Sequence, residues 1–133
     1  MSVQRGLTTY RQTQVQSRTP LELVVMLYDG ALKFLHQARE AIERGDIAGR
    51  RDASSRAITI ISELQSTLNM EQGGEIAQRL DELYIYVNGR IIAAAADNSV
   101  GPIDDATRVL NVLRESWVAI AAPAADAQVR GAA

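Results

Sequence analysis

The chain contains no cysteine and only one histidine, His36. These absences remove disulfides, thiolate metal sites and cysteine nucleophiles, and leave too few ligands for a zinc site built from Cys and His. A cysteine-free chain suits a reducing compartment. Aromatic side chains are scarce, with one Phe, one Trp and four Tyr, so a core must be built from Leu, Ile, Val and Ala. No apolar run approaches the ~18 residues needed to span a bilayer. The opening Met1-Ser2-Val3-Gln4-Arg5-Gly6 has no apolar stretch of signal-peptide length. The expectation is a cytoplasmic chain without stable membrane insertion. An excess of one charge is also missing: 14 Lys and Arg stand against 16 Asp and Glu, for a net charge of -2. With no basic stripe, nucleic acid is not an expected partner.

What is present is a chain of 133 residues, 47% of them hydrophobic. That is enough for one globular domain with one sizeable core. Residues 1–18 are polar, without a helical stripe, punctuated by Leu7, Tyr10 and Val15. They read as an N-terminal arm with a few docking points. Thr19-Pro20-Leu21-Glu22 is a helix start: Thr19 caps, Pro20 suits the first helical position, and Glu22 completes a capping box. Val24, Tyr28, Ala31, Leu35, Ala38 and Ile42 keep the helical period up to Arg44, with a stop at Gly45. Leu23, Leu27 and Phe34 add a second stripe to this first helix, as expected of one flanked by several neighbours.

A second helix is expected over Ile47–Met70, capped by Asp46, with Ala53, Ala57, Ile60, Ile61, Leu64 and Leu68 inward. Gly73-Gly74 reads as the connection to a third, from Glu75 to Ala96, carrying Ile76, Leu80, Leu83, Val87, Ile91 and Ala94. Asp97-Asn98-Ser99 and Gly101-Pro102 make a turn. A fourth helix follows from Pro102 to Ala121, with Ala106, Val109, Leu110, Leu113, Trp117 and Ile120 inward and Pro123 as a stop. The short connections predict an all-α fold, an antiparallel up-down-up-down four-helix bundle over residues 19–122. The arm, or a short helix within it, packs on the bundle, and residues 123–133 form a flexible Ala-rich tail.

Catalytic signatures are not found. Lys33 stands three residues before His36, so the Glu-x-x-His pair of di-iron bundles is absent, and His36 reads as a solvated helix residue. Neither of the glycine-rich phosphate-loop patterns occurs. Gly73-Gly74 reads as a turn rather than an anion cradle. Asp104-Asp105 and Glu115 read as helix-dipole and surface charges rather than a metal site, and Asp81-Glu82 as a solvated face. No catalytic residue, metal or cofactor is expected, and the chain reads as a non-enzyme.

The surplus is apolar. Ile58, Tyr84, Ile85, Tyr86, Ile92, Val112 and Val118 fall outside one stripe per helix. They suit a wide core stripe covered by the arm, a homodimer, or a groove for partner helices. Gly30 and Gly89 fall in helix interiors, where each costs about 1 kcal/mol relative to Ala. Close approach by a neighbouring bundle helix or by a bound partner would compensate.

The run from Thr19 to Leu35, with Met26-Leu27-Tyr28-Asp29-Gly30 at its centre, resembles the FliS family of flagellar secretion chaperones. Supporting pieces follow in order over residues 7–120. They are Tyr10 and Val15 upstream, then Ala57, Ile60, Ile61, Glu63 and Leu64, then Gly73-Gly74-Glu75-Ile76-Ala77, Leu83-Tyr84 and Tyr86, and lastly Leu113-Arg114 and Trp117. Leu7 stands where many members carry another tyrosine. The resemblance implies an export chaperone that holds the disordered C-terminal segment of flagellin, prevents premature polymerisation and delivers it to the flagellar type III export gate. It implies coupled folding of that segment on the apolar surface. The groove residues expected to meet it are Ile58, Tyr84, Ile91 and Ile92. Leu7, Tyr10 and Val15 are expected to cap the surface and contact the gate. A co-chaperone or regulator is a further partner of this kind of protein. The other reading is a helical-bundle adaptor or regulator with a different amphipathic-helix partner.

Overall fold

The computed structural model describes residues 19–132, with side chains described for residues 19–122. The described residues form α1 (Pro20–Glu43), α2 (Ile47–Ser66), α3 (Met70–Asp97) and α4 (Gly101–Ala132). Each helix packs on the two that neighbour it around a ring, α1 on α2 and α4, and α3 on α2 and α4. Contacts fix the antiparallel sense. Arg39, late in α1, meets Asp104, early in α4. Arg50, early in α2, meets the carbonyl of Ala95, late in α3, and Gln65, late in α2, meets Asp81.

The start of α1 follows from its cap. The Thr19 hydroxyl accepts from the Glu22 amide at 3.1 Å and donates to the Glu22 carboxylate at 3.2 Å, with Pro20 in the first turn. Asp46 caps α2 by accepting from the Gly49 amide at 2.9 Å. That bond, with Arg44 beside it, lowers the Asp46 pKa from its ordinary value.

Two helix ends depart from the sequence expectation. Helix α2 stops at Ser66 rather than Met70. The hydroxyls of Ser66 and Thr67 turn back to the carbonyls of Glu63 and Leu64, and Asn69 caps α3 through the Gln72 amide. The Gly73-Gly74 pair is therefore not the connection. It lies inside α3 as a kink, where Gly74 adopts φ 52° and ψ -127°, a conformation only glycine reaches easily. Helix α4 does not stop at Pro123 but continues to Ala132. The surrounding segment is dominated by alanine, the strongest helix former. An internal proline removes one backbone hydrogen bond without forbidding the helix.

The core contains most of the expected stripe: Tyr28, Ala31, Leu35 and Ala38 of α1, Ala53, Ala57, Ile61 and Leu64 of α2, Val87, Ile91 and Ala94 of α3, and Ala106 and Leu110 of α4. Ile103 joins it from the first turn of α4, while Ile120, expected inward, is exposed near the open end of the bundle. Alanines at many of these positions let the helix axes approach closely. The end formed by the α1–α2 and α3–α4 turns is tied by ion pairs, Arg39 with Asp104 and Arg90 with Asp105. Among the described residues, no helix is long and apolar enough to cross a membrane.

Candidate functional site

Near the opposite end of the bundle, three polar groups meet inside the core. The hydroxyls of Tyr28 (α1) and Tyr84 (α3) are 2.6 Å apart across the bundle diagonal. The Trp117 indole of α4 donates to the Tyr28 hydroxyl at 3.2 Å. The two rings are tilted by 51° with centroids 6.4 Å apart. Burial pushes both tyrosine pKa values up, so the hydroxyls stay protonated and available for these bonds. Tyr84, placed among the surplus by sequence, is a core residue. Its polar tip is satisfied inside the bundle, as a buried tyrosine requires.

Beyond this network the bundle opens. A cavity of about 380 Å³ lies between the start of α1, the α2–α3 turn and α4, lined by Leu21, Val24, Leu68, Leu80, Tyr84 and Trp117 among others. Ile76, expected inward, also lines it and is 72% exposed. Its direction around α3 suits the core stripe, but at this depth none of the described residues closes over it.

A second concavity of about 320 Å³ runs between α2 and α3. Ile58 lines it half-buried, Ile91 lines it from the core, and Ile92 lines it at 61% exposure, with Arg50 and Arg51 also present. The four groove residues expected from the sequence thus divide. Ile58, Ile91 and Ile92 share this groove, while Tyr84 lines the end cavity. A third, shallower slot between α3 and α4 is lined by Leu83, Val109, Val112 and Leu113. Leu7, Tyr10 and Val15 lie outside the described residues.

Most of the surplus side chains do face outward. Ile85, Tyr86, Ile92, Val112 and Val118 are all exposed. The two helix-interior glycines separate. A Cβ at Gly30 would lie 3.2 Å from the Ile60 side chain, so α2 packs closely there. A Cβ at Gly89 would meet nothing within 4 Å among the described residues, and Gly89 is exposed. A neighbouring bundle helix therefore explains Gly30 and not Gly89.

The charged groups are arranged for structure. Asp104 holds Arg39, and Asp105 holds Arg90 and Arg108. Arg114 of α4 pairs with Asp29 of α1, which raises the arginine's pKa. His36 pairs with Glu40 one turn on. Among the described residues no three His, Cys, Asp or Glu side chains gather as a metal site would need. Sequence reasoning missed the Tyr28–Tyr84–Trp117 network and the end cavity. Their only signal was two tyrosines and a tryptophan in a chain otherwise poor in aromatics.

The geometry is that of a helical binding scaffold with open apolar surfaces, and the comparisons with known proteins agree. The family described as "Flagellar protein FliS" matches residues 3–124. The chain is 36% identical over 130 residues to the flagellar secretion chaperone FliS of Salmonella typhimurium, covering 94% of this chain and 96% of that one. It is 33% identical over 117 residues to the FliS chaperone of Bacillus subtilis, covering 88% and 86% of the two chains. The Vibrio cholerae FliS chaperone is 32% identical over 116 residues, covering 84% and 85%. With a family match across nearly the whole length, on a four-helix scaffold that leaves apolar grooves open, this chain belongs to the FliS family of flagellar secretion chaperones.

Proposed function

We propose that this chain acts in the cytoplasm as an export chaperone for flagellin, holding its C-terminal segment and passing it to the flagellar type III export gate without catalysing a reaction. The observation that carries this reading is the apolar surface the fold does not use. Ile76, Ile85, Ile92 and Val112 are 72%, 57%, 61% and 64% exposed along α3 and α4. Isolated exposed apolar residues are ordinary, but these accompany open grooves on three sides of α3 and α4. A disordered segment that folds into amphipathic helices would bury them. Ile58, Ile91 and Ile92 supply the α2–α3 groove, with Tyr84 on the wall of the end cavity.

The arm has a part in the same proposal. It joins the bundle at Thr19, directly before Pro20, Leu21 and Val24 of the end cavity. Leu7, Tyr10 and Val15 would cover apolar surface until the client replaces them, lowering apparent affinity by the covered fraction. Tyr10 would also contact the gate. Titration calorimetry against flagellin, its isolated C-terminal segment, and flagellin lacking that segment tests the reading. Binding by the first two and none by the third is expected. Equal binding by all three, or by none, contradicts it.

A further inference from the structure

The Tyr28–Tyr84–Trp117 network holds more donors than acceptors. The Trp117 indole N–H and the hydroxyls of Tyr28 and Tyr84 are three donors. Only the two tyrosine oxygens accept, because an indole nitrogen cannot. Trp117 donates to Tyr28, and one hydroxyl donates to the other. One hydroxyl hydrogen is therefore left without an acceptor among the described residues. Its place is set by what surrounds each ring. Tyr28 is fully buried and is not part of the end-cavity wall, whereas Tyr84 and Trp117 both line that cavity. If Tyr84 donated to Tyr28, the Tyr28 hydrogen would be shut in the packed core without a partner, which is costly. The order that leaves nothing unpaired in the packed core runs from the Trp117 N–H to the Tyr28 oxygen and from the Tyr28 hydroxyl to the Tyr84 oxygen. It leaves the Tyr84 hydrogen for the cavity. Each bond in such a chain polarises the next, so this last donor is strengthened.

The rest of the cavity gives the missing acceptor its chemistry. Leu21, Val24, Leu68, Ile76 and Leu80 make much of the wall. Its two other polar side chains are engaged in the α2–α3 turn. The Thr67 hydroxyl donates to the Leu64 carbonyl, and the Asn69 side chain accepts from the Gln72 amide. Among the described residues, no charged side chain lines the cavity. A carboxylate brought to Tyr84 would lose its water with no cation to replace it. The acceptor that fits is uncharged, and an amide carbonyl meets that condition. An Asn or Gln side chain carries one, and so does the last turn of a helix, where backbone carbonyls lack an intrahelical partner. The arm has amides of its own in Gln12, Gln14 and Gln16, but they stand between Arg11 and Arg18. No carboxylate among the described residues lines the cavity to receive either charge.

We infer that Tyr84 is a specificity-determining donor to the client: the end cavity takes an apolar client segment that sets one uncharged amide carbonyl against the Tyr84 hydroxyl. Tyr28 and Trp117 are positioning residues that orient and polarise that hydroxyl. The apolar wall favours many apolar segments about equally, so it cannot fix which residue of the client enters. The single spare hydrogen can. A segment slipped along the cavity brings no acceptor to Tyr84 and leaves its hydrogen buried and unpaired, a condition that binding sites discriminate against strongly. The inference rests on the chaperone reading above and adds to it the residue that sets client register and the chemical group it selects.

The test measures the affinity of the full chain and of its Tyr84→Phe and Tyr28→Phe variants for the C-terminal segment of flagellin from the same organism, beside thermal unfolding of each protein. Tyr28→Phe breaks both bonds of the network and strands the Trp117 N–H, so it should unfold at a lower temperature than Tyr84→Phe. Affinity should follow the opposite order. Tyr84→Phe removes the hydrogen offered to the client and should bind about tenfold more weakly than the parent, the effect of one hydrogen bond. Tyr28→Phe keeps that hydrogen and loses only its polarising neighbour, so it should bind about two- to threefold more weakly. An uncharged acceptor also keeps the difference between the parent and Tyr84→Phe constant from about pH 5 to pH 8. Affinities that track unfolding temperature, or that do not change, would leave Tyr84 a structural residue and overturn the inference. A difference that varies across that pH range would show an ionising acceptor and also overturn it. A Tyr84→Phe protein that binds more tightly than the parent would give the hydrogen bond to the arm, released by the substitution, and overturn it as well. Failure of the parent chain to bind the segment at all would instead contradict the chaperone reading.

Discussion

Helices α1 and α3 begin alike and end in different roles. Each carries two apolar stripes and an interior glycine. In α1 both stripes are taken up: Tyr28, Leu35 and Ala38 are fully buried, and Val24, Leu27, Leu32 and Phe34 pack partly against the core. Its glycine is met by the Ile60 side chain. In α3 one stripe, Val87, Ile91 and Ala94, is equally buried. The other, Ile85 and Ile92, faces solvent, and its glycine meets nothing. The same composition therefore serves folding in one helix and leaves a surface over in the other. What differs is the extent of packing: both helices lie against α2 and α4, and α1 packs more extensively against them than α3 does.

The contrast is sharpest in substitutions that remove apolar bulk. Leu35→Ala, in the buried stripe of α1, should lower unfolding free energy in a denaturant titration by about 2–5 kcal/mol. Ile92→Ala, in the outward stripe of α3, should change it by no more than about 0.5 kcal/mol. Comparable losses at both positions would erase the distinction between the helices.

The next largest effect lies where the two helices touch. Tyr84→Phe deletes one hydroxyl from the Tyr28–Tyr84–Trp117 network and should cost about 1 kcal/mol. The same network gives a pH dependence. Both tyrosine pKa values are raised in the folded state, so the protonated forms favour folding. Their contribution is whole below the ordinary tyrosine pKa of about 10 and is lost as pH rises through the higher folded values. Thermal unfolding followed between neutral and strongly alkaline pH should show this loss in the parent chain, and a smaller one in Tyr84→Phe.

A smaller pair of effects compares the glycines directly. Gly89→Ala should stabilise the free protein by about 1 kcal/mol, the full helix-propensity gain. Gly30→Ala should gain less, because its Cβ would press the Ile60 terminal methyl at 3.2 Å. Equal gains at the two sites would mean that the α1–α2 contact yields freely.

Much of this was legible in the sequence. The Thr19 and Asp46 caps, the helical period and the short connections gave the bundle and most of its core. The buried faces of α1 and α2 could be read because apolar residues there repeat without interruption. What escaped was depth along the bundle. Periodicity says which way Ile76 points around its helix, but not that the bundle has opened at that level. Gly73-Gly74 has the composition of a turn, and only the Asn69 cap, reached four residues before Gly73, reveals it as a kink. Tyr84 looked like surplus because its partner, Tyr28, lies 56 positions away in the chain. Gly30 and Gly89 are indistinguishable as letters, and only packing separates them.

The outward stripe of α3, in the proposed function, serves a client rather than the fold. Ile92→Asp tests that claim most directly, by calorimetric titration with the flagellin C-terminal segment beside thermal unfolding of the same sample. The parent chain should bind with a large negative heat-capacity change, the mark of apolar burial with coupled folding. Ile92→Asp should bind at least about tenfold more weakly, with its unfolding temperature nearly unchanged. Unchanged affinity, or a collapse in stability that accounts for the loss, would contradict it.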